Sequence, residues 1–240
     1  MSDEFFVGYL APPRVTGRRM RVIAVALVVF ASLVAVVLAL ATGPFDHTSF
    51  EFATLRDWQG TIEAAPVPVL IVEGAHRLPL VAPGKHGAVP AVAPFDGMTV
   101  ALRAKRIVRD GTTMLEIEPG SIRSEGDSHR NSDARAPIPS DAPTATFTGE
   151  IVDSKCFLGA MNPGRLEVHR ACAMRCIAGG IPPMLFTHDA GGRELRVLLV
   201  GSEGEPINDR VLPYVATPVS IEGRLVRYND LDYLYVLAIR

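Results

Sequence analysis

The stretch VSIEGRLVRYNDLDYLYVLAI, residues 219–239, decides how the C-terminal part of this 240-residue chain folds. Val219, Ile221, Gly223 and Leu225 alternate with Ser220, Glu222, Arg224 and Val226, and alternation at period two marks a strand with one buried face. Residues 231–239 form a second strand, joined to the first across the polar turn Tyr228-Asn229-Asp230. Gly223, inside an otherwise unbroken strand pattern, suits the sharp bend that a small barrel needs.

Reading backwards from this hairpin, a short helix is expected at residues 208–212 before Pro213, and a strand at 194–200, where Leu195, Val197 and Leu199 alternate. The turn Asp189-Ala190-Gly191-Gly192 separates it from a strand at 184–187, and another strand is expected at 145–152. Three strands, a short helix and two strands is the order of an OB-type five-stranded barrel. The first part of the chain reads as a reduced version of the same plan. Its strands are expected at 58–63, 69–72, 78–81, 98–108 and 113–118, with Pro79 placing the third at an edge. WQGTIE at 58–63 matches FTGEIV at 147–152, and both units end in a strand, a polar turn and a strand, which suggests an internal duplication. The fold class is therefore mainly β: two small OB-like units, 43–118 and 145–240, the second carrying an insertion at 153–183.

Between the two units, residues 119–144 are rich in Ser, Asp, Pro and Gly and hold few large apolar side chains, so they read as a linker. Ahead of both units, Val22 to Ala41 contains a single polar residue, Ser32. Twenty residues at ~1.5 Å each span roughly 30 Å, the thickness of a bilayer's hydrocarbon core. Residues 22–42 are thus expected to form one transmembrane helix. Arg14, Arg18, Arg19 and Arg21 precede it while Asp46, His47 and Glu51 come after it, so the tail 1–21 is expected in the cytoplasm and the remainder in the periplasm, anchored to the inner membrane. Ala39-Leu40-Ala41 offers the alternative of a cleaved signal peptide, which exports the same residues. Phe5, Phe6, Tyr9 and Leu10 in the tail suit the membrane interface or a partner helix.

All three cysteines fall in the insertion GEIVDSKCFLGAMNPGRLEVHRACAMRCIAGGIPP, residues 149–183. Residues 165–177 read as a helix stopped by Gly179-Gly180 and Pro182-Pro183. At ~100° per residue, His169, Cys172 and Cys176 fall at about 0°, 300° and 340°, on one helix face. Cys156, at the mouth of the preceding strand, can fold back to meet them. Cys156, His169, Cys172 and Cys176 are the candidate metal ligands, a Cys₃His set suited to zinc, or to copper with Met161 and Met184 nearby. Met174 lies off that face. A disulfide from Cys156 to Cys172 or Cys176, with one thiol left over, and a redox-active thiol pair are the competing readings. Asp153 reads as a turn residue or as a carboxylate supporting the cluster. In the first unit, Pro83-Gly84-Lys85-His86-Gly87 puts a cation and an imidazole on a Gly-flanked loop, which reads as a solvated hairpin tip first and as an anion or partner contact second.

Cys172 and Cys176, in C-x3-C spacing with a histidine nearby, resemble the copper motif of the thioredoxin-fold Sco-type assembly factors and of the CuA domain of cytochrome oxidase, though Ile177 stands where the Sco-type motif has a Pro. A single-anchor exported OB barrel also resembles the periplasmic haem chaperone of cytochrome c maturation, but the C-terminal His-Tyr of that family is absent. Across most of the C-terminal unit the sequence is similar to uncharacterised bacterial membrane-anchored exported proteins with GEIVDSKC and HRACAxxCIxGGIPP segments. That resemblance implies a recurring Cys-rich insertion and assigns no activity.

Composition narrows the function classes. With 24 Lys+Arg against 26 Asp+Glu and 7% aromatic residues, the chain has neither the basic stripe nor the stacking residues of a nucleic-acid binder. It contains no C-x-x-C-H, H-E-x-x-H, G-x-S-x-G, G-x-G-x-x-G or Walker loop, and it presents no general base, so no enzymatic activity is assigned. Two readings remain: an anchored extracytoplasmic protein that binds a transition metal or works by thiol redox, or an accessory subunit of a membrane electron-transfer complex whose cysteines are structural.

Overall fold

The computed structural model of the chain describes residues 14–41, 48–125, 142–189, 191–228 and 230–240. The tail aromatics Phe5, Phe6, Tyr9 and Leu10, the flanking Asp46 and His47, and linker residues 126–141 lie outside the described residues. Two compact units divide at residue 45.

In the first unit, α1 (Arg14–Ala41) is a single helix of 28 residues with no buried side chain. It is long and apolar enough to cross a membrane. It starts eight residues before residue 22, because the arginines of the basic flank are good helix formers and no proline interrupts them after Pro13.

The second unit is built of strands. Its first half comprises β1 (Thr48–Phe50), β2 (Arg56–Glu63), β3 (Val69–Ile71), β4 (Arg77–Val81), the short α2 (Val89–Val92), β5 (Thr99–Arg109), β6 (Thr112–Ile117) and β7 (Arg123–Ser124). Strands β2-β3-β4-β6-β5 close into a ring, and β4–β6 is its one parallel pair. Its second half comprises β8 (Thr144–Asp153), α3 (Arg170–Ala178), β9 (Pro183–His188), β10 (Glu194–Gly201), α4 (Asn208–Val211), β11 (Pro218–Tyr228) and β12 (Leu231–Ile239). Here β8-β9-β10-β12-β11 close, again with one parallel pair, β10–β12. Both halves are OB-like barrels with the same strand order. The matched glycines do the same work in each. A Cβ on Gly60 would lie 2.3 Å from Ile71 O, and one on Gly149 would lie 2.3 Å from Phe186 O, so in both barrels the first strand crosses its neighbour where only glycine fits.

Three details differ from expectation. Strands β1 and β7 add to β5, so residues 123 and 124 of the expected linker pair with the first barrel. Strand β4 is internal rather than an edge. It tolerates Pro79 because the next amide, Leu80 N–H, donates to Pro68 O, and pairing with β6 begins only at Leu80. The helix of the insertion starts at Arg170, preceded by a single turn at Glu167–His169, because Leu166 sits at φ 67°, ψ 172° and cannot continue a helix into Arg165.

The apolar residues sort into three clusters. Ile62, Leu70, Leu80, Val100, Leu102 and Leu115 fill the first barrel. Ile151, Leu185, Val197, Leu199, Leu234 and Val236 fill the second, with Ala173 and Ile177 of α3 against them. The third cluster joins the barrels: Val69, Val81, Ile107 and Met114 of the first meet Phe157, Leu198, Val200, Tyr233 and Tyr235 of the second. Strands β10 and β12 are therefore buried on both faces, one toward the barrel lumen and one toward the neighbouring barrel.

Candidate metal centre

The site begins where β8 ends. Asp153 has no solvent exposure, and its Oδ1 accepts the backbone N–H of Cys156 at 2.8 Å while its Oδ2 lies 3.1 Å from His169 Nε2. That carboxylate closes the tight helical turn Cys156–Ala160 as an N-terminal cap does, by giving a buried amide an acceptor. Ser154 Oγ donates to Pro182 O at 2.7 Å and ties the start of the insertion to its end. After the turn the chain doubles back against Cys156 at Gly164, where a Cβ would lie 2.6 Å from Cys156 O. It then enters α3, which carries Cys172 and Cys176. Asn208 of α4 holds the end of α3 by donating to Ile177 O and Ile181 O.

This path brings all three cysteines together. Their sulfurs lie within 4.8 Å of one another, and a second group of the same tightness joins Asp153, Cys156 and His169. Cys156 belongs to both. His169 groups with Asp153 and Cys156 rather than completing one four-residue set with Cys172 and Cys176, its Nε2 turned to Asp153 Oδ2. The disulfide considered as an alternative is absent: Cys156, Cys172 and Cys176 are all free thiols. Met184 is buried in the same cluster as Cys156 and Cys176, whereas Met161 is exposed and Met174 packs toward the second barrel's own core.

The first barrel also reaches the site. Lys85 Nζ is 2.7 Å from Cys172 Sγ and 3.6 Å from Cys176 Sγ. The loop Pro83-Gly84-Lys85-His86-Gly87 is not a free hairpin tip, because it is docked on the insertion. Gly87 N–H donates to Gly179 O at 2.9 Å, and the buried Lys155 donates to Ala82 O and Gly84 O at 2.9 and 2.7 Å while its Nζ lies 2.6 Å from Glu116 Oε2. Gly179 and Gly180 do more than stop α3. A Cβ on Gly179 would lie 1.8 Å from Lys85 O, and one on Gly87 would lie 2.0 Å from Gly180 O, so the loop and the helix end touch backbone to backbone.

The electrostatics are set by these contacts. Hydrogen bonding from Cys156, with help from Lys85, lowers the Cys176 thiol to about 7 against the opposing effect of burial. Cys156, the other partner in that bond and buried, is pushed far above the usual thiol range. Lys85 is raised, chiefly by its hydrogen bond to Cys172. At neutral pH the cluster thus holds thiolate character under a fixed ammonium.

Comparison with protein-family models, with curated proteins and with solved structures returns no match.

Three sulfurs so placed, with a buried Asp and His beside one of them, form a group that could hold a metal ion. Lys85 and Lys155 were not legible as members of this region from sequence. The one signal was Gly87 and the Gly179-Gly180 pair, which mark close backbone approach without naming the partner.

Proposed function

We propose that the chain is a membrane-anchored extracytoplasmic protein that binds a soft transition-metal ion, zinc or copper, through the thiolates of Cys156, Cys172 and Cys176. The observation that carries this reading is the convergence of the three sulfurs within 4.8 Å from two separate segments of the insertion. Thiols outside the cytoplasm pair by default, and an odd set of three close but unpaired thiols is accounted for by an ion that takes all of them. Asp153 and His169 support the set from behind, since Asp153 fixes the Cys156 turn, the kind of outer-shell hydrogen bonding that orients metal ligands. The arginines at and before the start of the apolar part of α1 support export of the two barrels.

The test is metal analysis of the full-length chain, purified in detergent under reducing conditions. One equivalent of zinc or copper is expected, lost on Cys172→Ser. A metal-free protein with inert thiols that is recovered in a membrane complex would overturn the reading in favour of a non-catalytic accessory role.

A further inference from the structure

We infer that Lys85, supplied by the first barrel, is a specificity residue of the proposed metal centre, and that it turns the three-cysteine site toward a monovalent soft ion, Cu(I), over divalent Zn(II). The inference rests on the metal reading above and deepens it.

Three thiolates alone accept either ion, and zinc is the more usual occupant of cysteine-rich sites. What distinguishes this cluster is the fixed cation at its open side. Cys172 is the least buried of the three cysteines, and the ammonium of Lys85 lies 2.7 Å from its sulfur and 3.6 Å from that of Cys176. An ion bonded to Cys172 Sγ at the usual ~2.3 Å is therefore no more than about 5 Å from Nζ. Whatever protons the thiols release on loading, two loaded states with the same ligands differ by one unit of positive charge at the ion. The ammonium repels that extra unit. It stabilises the more negative copper-loaded cluster relative to the zinc-loaded one.

The placement of Lys85 is built rather than incidental. Lys155, the residue before Cys156, holds the loop by two backbone carbonyls and is itself paired with Glu116 of β6. Gly87 N–H bonds to Gly179 O immediately after α3. The cation is thus tied to both ends of the cysteine-bearing segment, and ion selectivity depends on the docking of one barrel against the other.

The experiment is a pair of competition titrations on the full-length chain in detergent, Cu(I) against a chromophoric Cu(I) chelator and Zn(II) against a chromophoric Zn(II) chelator, with wild type, Lys85→Leu and Lys85→Arg. Leucine removes the charge without adding a donor atom, and for Lys85→Leu the ratio of zinc to copper affinity is expected to rise about ten-fold, a figure reduced for the solvent exposure of Lys85. Lys85→Arg keeps the charge and is expected to hold the wild-type ratio. Circular dichroism confirms that each variant is folded. If wild type loads one equivalent and Lys85→Leu leaves the ratio unchanged, or if Lys85→Arg shifts it as much as Lys85→Leu, the role of Lys85 falls and the metal reading stands. If wild type takes up neither ion, both fall.

Discussion

Lys155 Nζ lies 2.6 Å from Glu116 Oε2, and both side chains are about 5% exposed, so a buried ion pair joins the residue preceding Cys156 to strand β6 of the other barrel. The same ammonium donates to two carbonyls of the Lys85 loop, which makes it the centre of the barrel-to-barrel contact at the site.

Lys155→Met is expected to leave Glu116 buried with only the more distant Lys105, at 3.5 Å, and to remove both bonds to the loop. Removing one partner of a buried pair costs about 3 kcal/mol. Denaturant unfolding followed by the fluorescence of Trp58, the chain's single tryptophan, measures this directly. Glu116→Gln combined with Lys155→Met should recover part of the loss, since it removes the stranded charge.

Asp153→Ala is expected to destabilise the second barrel by about 2–4 kcal/mol, because it leaves the Cys156 N–H and the His169 ring without their buried acceptor. Asp153→Asn keeps an oxygen for Cys156 and should cost clearly less. Equal losses for the two variants, in unfolding followed by circular dichroism, would mean that charge rather than hydrogen bonding holds the turn.

Gly60→Ala and Gly149→Ala each place a methyl group 2.3 Å from a backbone oxygen of the adjacent segment. Each is expected to cost about 1–3 kcal/mol, and by the same amount within error, since the two barrels use the same crossing. A neutral result at either position would argue against the shared geometry.

The cluster should also titrate in a defined way. In the folded chain the Cys176 thiol is lowered to about 7 from the ordinary 9.0, first by its bond from Cys156. A depressed folded-state value stabilises the native state above the unfolded value and loses that contribution as pH falls from 9 through 7. Cys156 is shifted the opposite way and withdraws stability once pH rises past 9. Metal-free protein should therefore show one thiolate appearing near pH 7 by ultraviolet absorbance, and stability that rises from pH 7 to a maximum near pH 9.

Much of the fold was legible because barrel strands carry their own pattern. The alternation in β11, the glycine at its bend and the matched WQGTIE and FTGEIV segments identify two barrels of one design, and the strand bounds in the structure lie close to those read from the pattern. The start of α3 was not legible, because the positive φ of Leu166 results from the chain folding back on Cys156 rather than from leucine's own preference. Asp153 could be read as a turn residue but not as the buried acceptor that links Cys156 to His169.

By itself the sequence determined the mainly β character, the repeated barrel, the apolar helix and the concentration of every cysteine in one insertion, since each of these is a local pattern or a matter of composition. Only the tertiary structure decided that the sulfurs meet as three free thiols, that His169 turns to Asp153, and that Lys85 covers the cluster from the other barrel. The physical reason is sequence distance. Lys85 and Cys172 are 87 residues apart, and nothing periodic links them. Their contact results from the apolar faces of β10 and β12 that pack one barrel on the other, and from glycines small enough to let the loop and the helix end touch.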